Sequence, residues 1–319
     1  MRKIPAALAV LSVTAVALVG CASGNDPAAS CPRTTDAGSP TMGLISVSGS
    51  VSSAPTVDVD TPLHATKTQF TDVEAGTGEI PITSDSQMIV LDVALVSATT
   101  GKTLVTTAYD GDKSTVYPVS QWVQSFPGFE PALHCATAGT RTVVAIAPGG
   151  IPEASLSSLG MSKGDSLVAV LDVRKVYRAA ADGARVYNDG FGMPAVVRAP
   201  DGRPGVIVPD SSAPSSLRIQ LLKRGSGEKV DAARPVLLQY TIVNWSDKSV
   251  ASTTWDAQAE FVTLSTKSKG FQKAVEGQTV GSQVLAVIPP ADGASGVKDT
   301  QIAVIDILGI GPDAPASAQ

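Results

Sequence analysis

Histidine, cysteine and aromatic residues are all scarce in this chain of 319 residues. The two histidines, His64 and His134, and three cysteines without a Cys-x-x-Cys pair offer no metal-ligand spacing, so neither metal nor cofactor is expected. Aromatic residues make up 4% and charged residues 17%, with a formal net charge of −5. That balance excludes the basic face a nucleic-acid binder needs. The apolar run within the first twenty residues is too short and too weakly flanked to be a spanning helix. Gly76-x-Gly78 and Gly225-x-Gly227 lack the third glycine and the βαβ context of a dinucleotide site and are read as turns. The run 160–164 spells Gly-x-Ser-x-Gly, but a hydrolase elbow needs a strand–turn–helix context and a partner histidine.

What is present begins with a leader. Arg2 and Lys3 precede an Ala/Val/Leu-rich run that ends at Val19-Gly20-Cys21, the pattern of a secretory signal over residues 1–20. Leu18-Val19-Gly20-Cys21 also resembles a bacterial lipobox, which implies cleavage before Cys21 and lipidation of its thiol. Residues 21–43 follow as a polar tether rich in Ser, Gly, Asp and Pro. Losing the charges of Arg2 and Lys3 takes the formal net charge from −5 to −7, so the mature chain is acidic. With Cys21 set aside, Cys31 and Cys135 form an even pair in an oxidising compartment. They are expected to form a disulfide that pins the tether; the alternative is two independent thiols. The location this implies is the extracytoplasmic face of the cell membrane.

The chain contains its own copy. Pro55 and Gly76 in the first half stand 149 residues before Pro204 and Gly225 in the second. Phe129 to Gly139 matches Phe271 to Gly281 in length, and the stretch 166–172 matches 300–306 position by position. Two copies mean two like-folded domains, since a solenoid needs at least three repeats. We place the first at 44–178 and the second at 193–311, with 179–192 as a linker and 312–319 as a tail. Strand signals fall at 88–95, 141–146 and 166–173 in the first copy, and at 236–243, 283–288 and 301–308 in the second. One short helix per copy, after Gly128 or Gly270, predicts an α+β class: a twisted antiparallel sheet wrapped around that helix.

The stretch 270–293 carries the most specific pattern. Phe271, Ala274 and Val275 recur at helical spacing, Gly277 and Gly281 close the helix, and a strand runs to Ile288 before Pro289-Pro290. This resembles the centre of the FKBP-type peptidyl-prolyl isomerases. In that family a Gly-Trp pair opens the helix, a Val-Gly-x-Arg turn follows, and Ile-Pro-Pro leads into a flap with a Tyr. Here Phe271 stands at the Trp position and Gln283 at the Arg position, and the flap Tyr is missing. Residues 236–241 (Val-Leu-Leu-Gln-Tyr-Thr) and Trp245 also resemble actinobacterial members.

The resemblance implies a site in the second copy, with Tyr240 as the strand tyrosine and Phe271 as the floor. Phe261, Trp255 and Ile288 complete the substrate-binding set. Ala251 and Ala303 replace two aromatic walls, so the pocket is expected to be wider and wetter, or collapsed. In the first copy, Phe129 takes the floor with Phe126 and Tyr117 as neighbours, and Asp92 is expected to point into the pocket and spoil it. The plainer reading of Phe271, Phe129 and Tyr240 is core packing, and of Trp122, Trp245 and Trp255 edge packing. Two functions follow. One is a surface-anchored prolyl isomerase or folding factor acting as a monomer on proline-containing exported polypeptides. The other is a non-catalytic chaperone or peptide-binding module. A solute-binding lipoprotein fits less well, because it needs two lobes with parallel sheets.

Overall fold

The computed structural model describes residues 31–312. The leader, Cys21 and residues 313–319 lie outside them, as does the lipidation expected at Cys21. The first copy contains β1 (Ile45–Ser48), β2 (Thr56–Val59), β3 (Gln69–Glu74), β4 (Met88–Ser97), β5 (Thr103–Thr106) and β6 (Tyr117–Pro118). Helix α1 (Val119–Ser125), a 3-10 turn and α2 (Glu130–Leu133) follow, then β7 (Arg141–Ile146), α3 (Glu153–Leu156) and β8 (Leu167–Val176). The second copy contains β9 (Ala184–Arg185), β10 (Ala195–Arg198), β11 (Pro204–Ile207), β12 (Arg218–Arg224) and β13 (Val236–Asn244). It continues with β14 (Val250–Thr253), β15 (Glu260–Val262), α4 (Lys269–Val275), β16 (Gln283–Ile288) and β17 (Gln301–Ile310).

Both sheets are antiparallel and share one order. The first runs β3-β7-β8-β4-β5 with β6 on β4; the second runs β9-β12-β16-β17-β13-β14 with β15 on β13. The six strands expected from sequence are the centres of these sheets. Their sequences run almost without polar interruption because both faces are covered, so inward and outward positions are apolar alike. On one face of the first sheet, Leu91, Val93, Leu95, Leu167, Ala169 and Leu171 meet the helical segment through Phe129 and Leu133. On the other, Ala94, Val96, Val168 and Val170 meet the β1–β2 hairpin through Ile45 and Val59. The second sheet repeats this, with α4 on one face and the β10–β11 hairpin on the other. Neither hairpin was expected from the sequence.

The edges are dressed differently. The stretch 179–192, read as a linker, adds a two-residue strand to the second sheet: β9 pairs with β12, Gly183 N–H donates to Gly281 O, and Ala181 N–H donates to Asp306 Oδ2. The end of the tether runs likewise along β3. Asp36 N–H donates to Phe70 O, Arg33 pairs with Asp72, and a disulfide joins Cys31 to Cys135. Cys31, His134 and Cys135 bring ligand-type atoms within 4.8 Å of one another, yet the bonded sulfurs have no thiolate to offer a metal.

A buried carboxylate sits at the same place in each sheet. Asp172 receives both Nε and Nη2 of Arg141, each at 2.6 Å, with both side chains fully buried. Its counterpart Asp306 receives Gln283 Nε2 at 2.5 Å and Arg198 Nη2 at 3.4 Å. Gln283 thus occupies in the second copy the place Arg141 holds in the first, and the hairpin strand β10 supplies the missing cation. The two copies meet through Met88, Val90 and Tyr177 of the first and Leu237, Ala259 and Leu308 of the second.

Candidate functional site

Alternation along β13 puts Leu238 and Tyr240 on the helix face, and α4 brings Phe271 down onto the same spot. Ser268 caps the helix by accepting Phe271 N–H. Gly270 lets its first turn sit directly on β16: a Cβ there would lie 2.5 Å from Ile288 Cγ2. Gly128 meets Ile146 in the same way in the first copy, at 2.6 Å, which accounts for the glycine before each phenylalanine. The Tyr240 and Phe271 rings meet edge to face, centroids 5.4 Å apart at 78°. They are only 6% and 3% exposed.

Two residues that the sequence reading passed over close this pair from above. Tyr240 donates its hydroxyl to Glu260 Oε1 at 2.6 Å. Lys267 Nζ donates to the same oxygen at 3.2 Å and to the Tyr240 hydroxyl at 3.3 Å. The ammonium lies 5.3 Å from the Tyr240 centroid and 5.9 Å from that of Phe271, a cation–π arrangement over both rings. Burial raises the Tyr240 hydroxyl pKa, and its bond to Glu260 raises it further. Burial pushes Glu260 up, but the hydrogen bonds from Tyr240 and Lys267 outweigh it and leave the carboxyl below its usual range. For Lys267 burial acts downward, and the bonds to Glu260 and Tyr240 win, raising it. Of the two outcomes expected for the lost walls, the site is closed rather than widened.

Of the other expected substrate contacts, Ile288 shares the core of Tyr240 and Phe271, and two fall elsewhere. Ile288 is buried beneath the helix start. Phe261 does not wall the site. It pairs across the ladder with Leu237, not Leu238, so its ring faces away from Tyr240 and packs edge to face on Tyr177, 5.6 Å away. Trp255 lies against the β10–β11 turn, where a Cβ on Gly202 would be 3.3 Å from its ring. Its indole Nε1 is buried with no hydrogen-bond partner among the described residues.

The first copy also departs from expectation. Asp92 pairs with Asp172, accepts Thr107 Oγ1 at 2.7 Å and lies 3.5 Å from Arg174, all on the face away from Phe129. The residue matching Tyr240 is Val93, which pairs with Leu171 as Tyr240 pairs with Ile305. A one-residue slip in a strand turns every side chain to the opposite face, and that is the source of the misplacement. Phe129 is fully buried, with Phe126 stacked on it at 4.9 Å. Phe129 shares its core with Val93, Leu133 and Ile146.

No protein-family model matches the chain, and no curated protein matches it in sequence. Among solved structures, the three FKBP domains of wheat FKBP73 align over 77% of this chain and 95% of theirs, at 14% identity and a TM-score of 0.32. FkpA from Escherichia coli aligns over 39% of this chain and 53% of its own, at 16% identity and a TM-score of 0.29. A peptidyl-prolyl cis-trans isomerase from Pseudomonas syringae aligns over 30% of this chain and 76% of its own, at 18% identity and a TM-score of 0.27.

Proposed function

We propose that the chain is a membrane-anchored prolyl isomerase or folding factor for exported polypeptides, with its site in the second copy. The observation that supports this is the Tyr240–Phe271 pair at the start of the one helix on an antiparallel sheet. Prolyl isomerisation needs neither nucleophile nor metal. Its barrier is amide resonance, about 18–20 kcal/mol, and the uncatalysed step takes roughly 10–100 s. Twisting the C–N bond weakens the amide dipole, so a dry apolar surface favours the twisted form when a donor holds the carbonyl oxygen. Phe271 supplies the surface. The Tyr240 hydroxyl and the Lys267 ammonium supply donors once a substrate lifts Lys267 from the rings.

The second reading, a peptide-binding chaperone without isomerase activity, rests on the closure itself. Both donors are engaged with Glu260, and the rings are buried under Lys267. Relaxation of a Phe-Pro peptide and refolding of a proline-limited protein separate the two readings. Acceleration that falls at least tenfold in Phe271→Leu and in Tyr240→Phe establishes the isomerase. Leucine replaces the usual alanine because emptying so buried a phenylalanine position costs about 3–5 kcal/mol and endangers the fold. Suppressed client aggregation without acceleration selects the chaperone. A second-copy fragment used in the same assays must start before β9, since β9 completes the sheet.

A further inference from the structure

The second copy exposes apolar side chains where the first is polar or closed. Tyr187 is 93% exposed and Phe191 97%, in the loop between β9 and β10. On the outer face of the β10–β11 hairpin, Val197 is 54% and Ile207 58% exposed. Ala195 faces Ile207 and Val197 faces Gly205 across the ladder, so these residues form one apolar row. The same row of the first-copy hairpin reads Ser46, Ser48, Thr56 and Asp58. Folding therefore does not require that row to be apolar. Single exposed apolar residues are ordinary, but fully exposed aromatic rings beside an apolar strand face are not.

The occupant follows from charge and tethering. Arg185 on β9 and Arg218 on β12 are exposed, and neither belongs to any ion pair among the described residues. Arg185 stands on the edge strand β9 two residues before Tyr187, and Arg218 on its neighbour β12, against one exposed acid in the loop itself, Asp189. In a chain that is acidic as a whole, such local cations fit an anionic surface rather than a basic one. Cys21 and Cys31 stand ten positions apart, a reach of about 35 Å at most. A lipid at Cys21 would keep a bilayer that close to the point where Cys31 joins Cys135. Aromatic rings flanked by arginine are the side chains that settle at the headgroup boundary.

We propose that the Tyr187–Phe191 loop and the outer face of the β10–β11 hairpin dock on an anionic lipid surface, fixing how the anchored protein lies on its membrane. The inference rests on the anchored reading only for bringing a bilayer within reach. The test uses the chain from Ala22, which carries no lipid and keeps every described residue. It is sedimented with vesicles of phosphatidylcholine alone or mixed with phosphatidylglycerol. Cosedimentation with the mixed vesicles is expected, falling about tenfold or more in Tyr187→Ser/Phe191→Ser. It should weaken in Arg185→Gln/Arg218→Gln and at high salt, and stay unchanged in the control Val250→Ser. Absence of binding, or binding indifferent to the double serine variant, overturns the proposal. So does a dimer in sedimentation velocity that the same variant dissolves, because the face then belongs to a second copy. Mass spectrometry of Cys21 in the native membrane fraction tests the anchor separately, and an unlipidated Cys21 would leave the vesicle result standing.

Discussion

Lys267 decides whether the Tyr240–Phe271 pair meets solvent. Its contacts are individually weak: a cation–π contact at a partly exposed site contributes about 0.5–1 kcal/mol, and an exposed ion pair about 0–1 kcal/mol. A ligand can therefore displace it. Lys267→Ser is expected to lower stability by no more than about 1 kcal/mol while raising Phe-Pro peptide binding, because the rings are uncovered, and lowering turnover several-fold, because one of the two donors is lost; a rise in turnover would make Lys267 a cover alone. The pH dependence has a definite sign. Glu260 is depressed, so the pair's contribution is complete above the ordinary glutamate value of about 4.3 and is lost as pH falls through the lower folded value. Lys267 is raised, so its share is complete below about 10.4 and is lost only as pH rises through the higher folded value. Urea midpoints of the native chain and Glu260→Gln should differ by a constant amount between those limits and converge in acid. Tyr240 and Phe271 were legible in the sequence because a short motif names them. Glu260 and Lys267 were not, because a charge reads as a solvated residue until the fold sets it over a ring.

At the scale of elements, the helix start is a tightly fitted joint. A Cβ on Gly270 would meet Ile288 Cγ2 at 2.5 Å and Asp292 O at 3.2 Å. Gly270→Ala is expected to cost about 1–3 kcal/mol, measured by urea unfolding, and to cost less in an Ile288→Ala background, where the clashing Cγ2 is gone. A cost that is the same in the Ile288→Ala background would place the strain in the backbone instead. The central strands were readable because burial on both faces makes them continuously apolar. The hairpins that provide the second cover were not: four-residue strands such as β1 and β10 carry too few positions to show a period. Register was harder still. The interval between the copies is 149 residues at Gly76 and Gly225 but 147 at Val93 and Tyr240. Setting Asp92 against Tyr240 takes an interval of 148, one residue more than the folded register requires, and a period of two turned that slip into a wrong face.

At the scale of the whole molecule, the repeat predicted two domains, but it left out what joins them. Tyr177 closes the first copy and fills the second. Its ring meets Phe261 edge to face and lies so close to Gly309 that a Cβ there would fall 2.4 Å from Cδ1. Lys175 Nζ sits 4.5 Å above the same ring and donates to Ile310 O at 2.9 Å. Phe261 reads as a pocket wall on a family pattern, yet the junction claims it, and no single-domain pattern could have signalled that. Burial pushes the Tyr177 hydroxyl up to about 12, and the oxygen has no hydrogen-bond partner among the described residues. Two substitutions at this position should therefore act in opposite directions. Tyr177→Ala empties the junction, costs about 3–5 kcal/mol, and should split one calorimetric transition into two as the copies lose their shared core. Tyr177→Phe keeps the ring contacts and removes a buried polar group whose unmet desolvation costs about 1–3 kcal/mol, so its melting temperature should match or exceed that of the native chain. A destabilised Tyr177→Phe would mean that the hydroxyl is bonded in solution. A single unchanged transition in Tyr177→Ala would mean that the copies are joined only by their shared backbone.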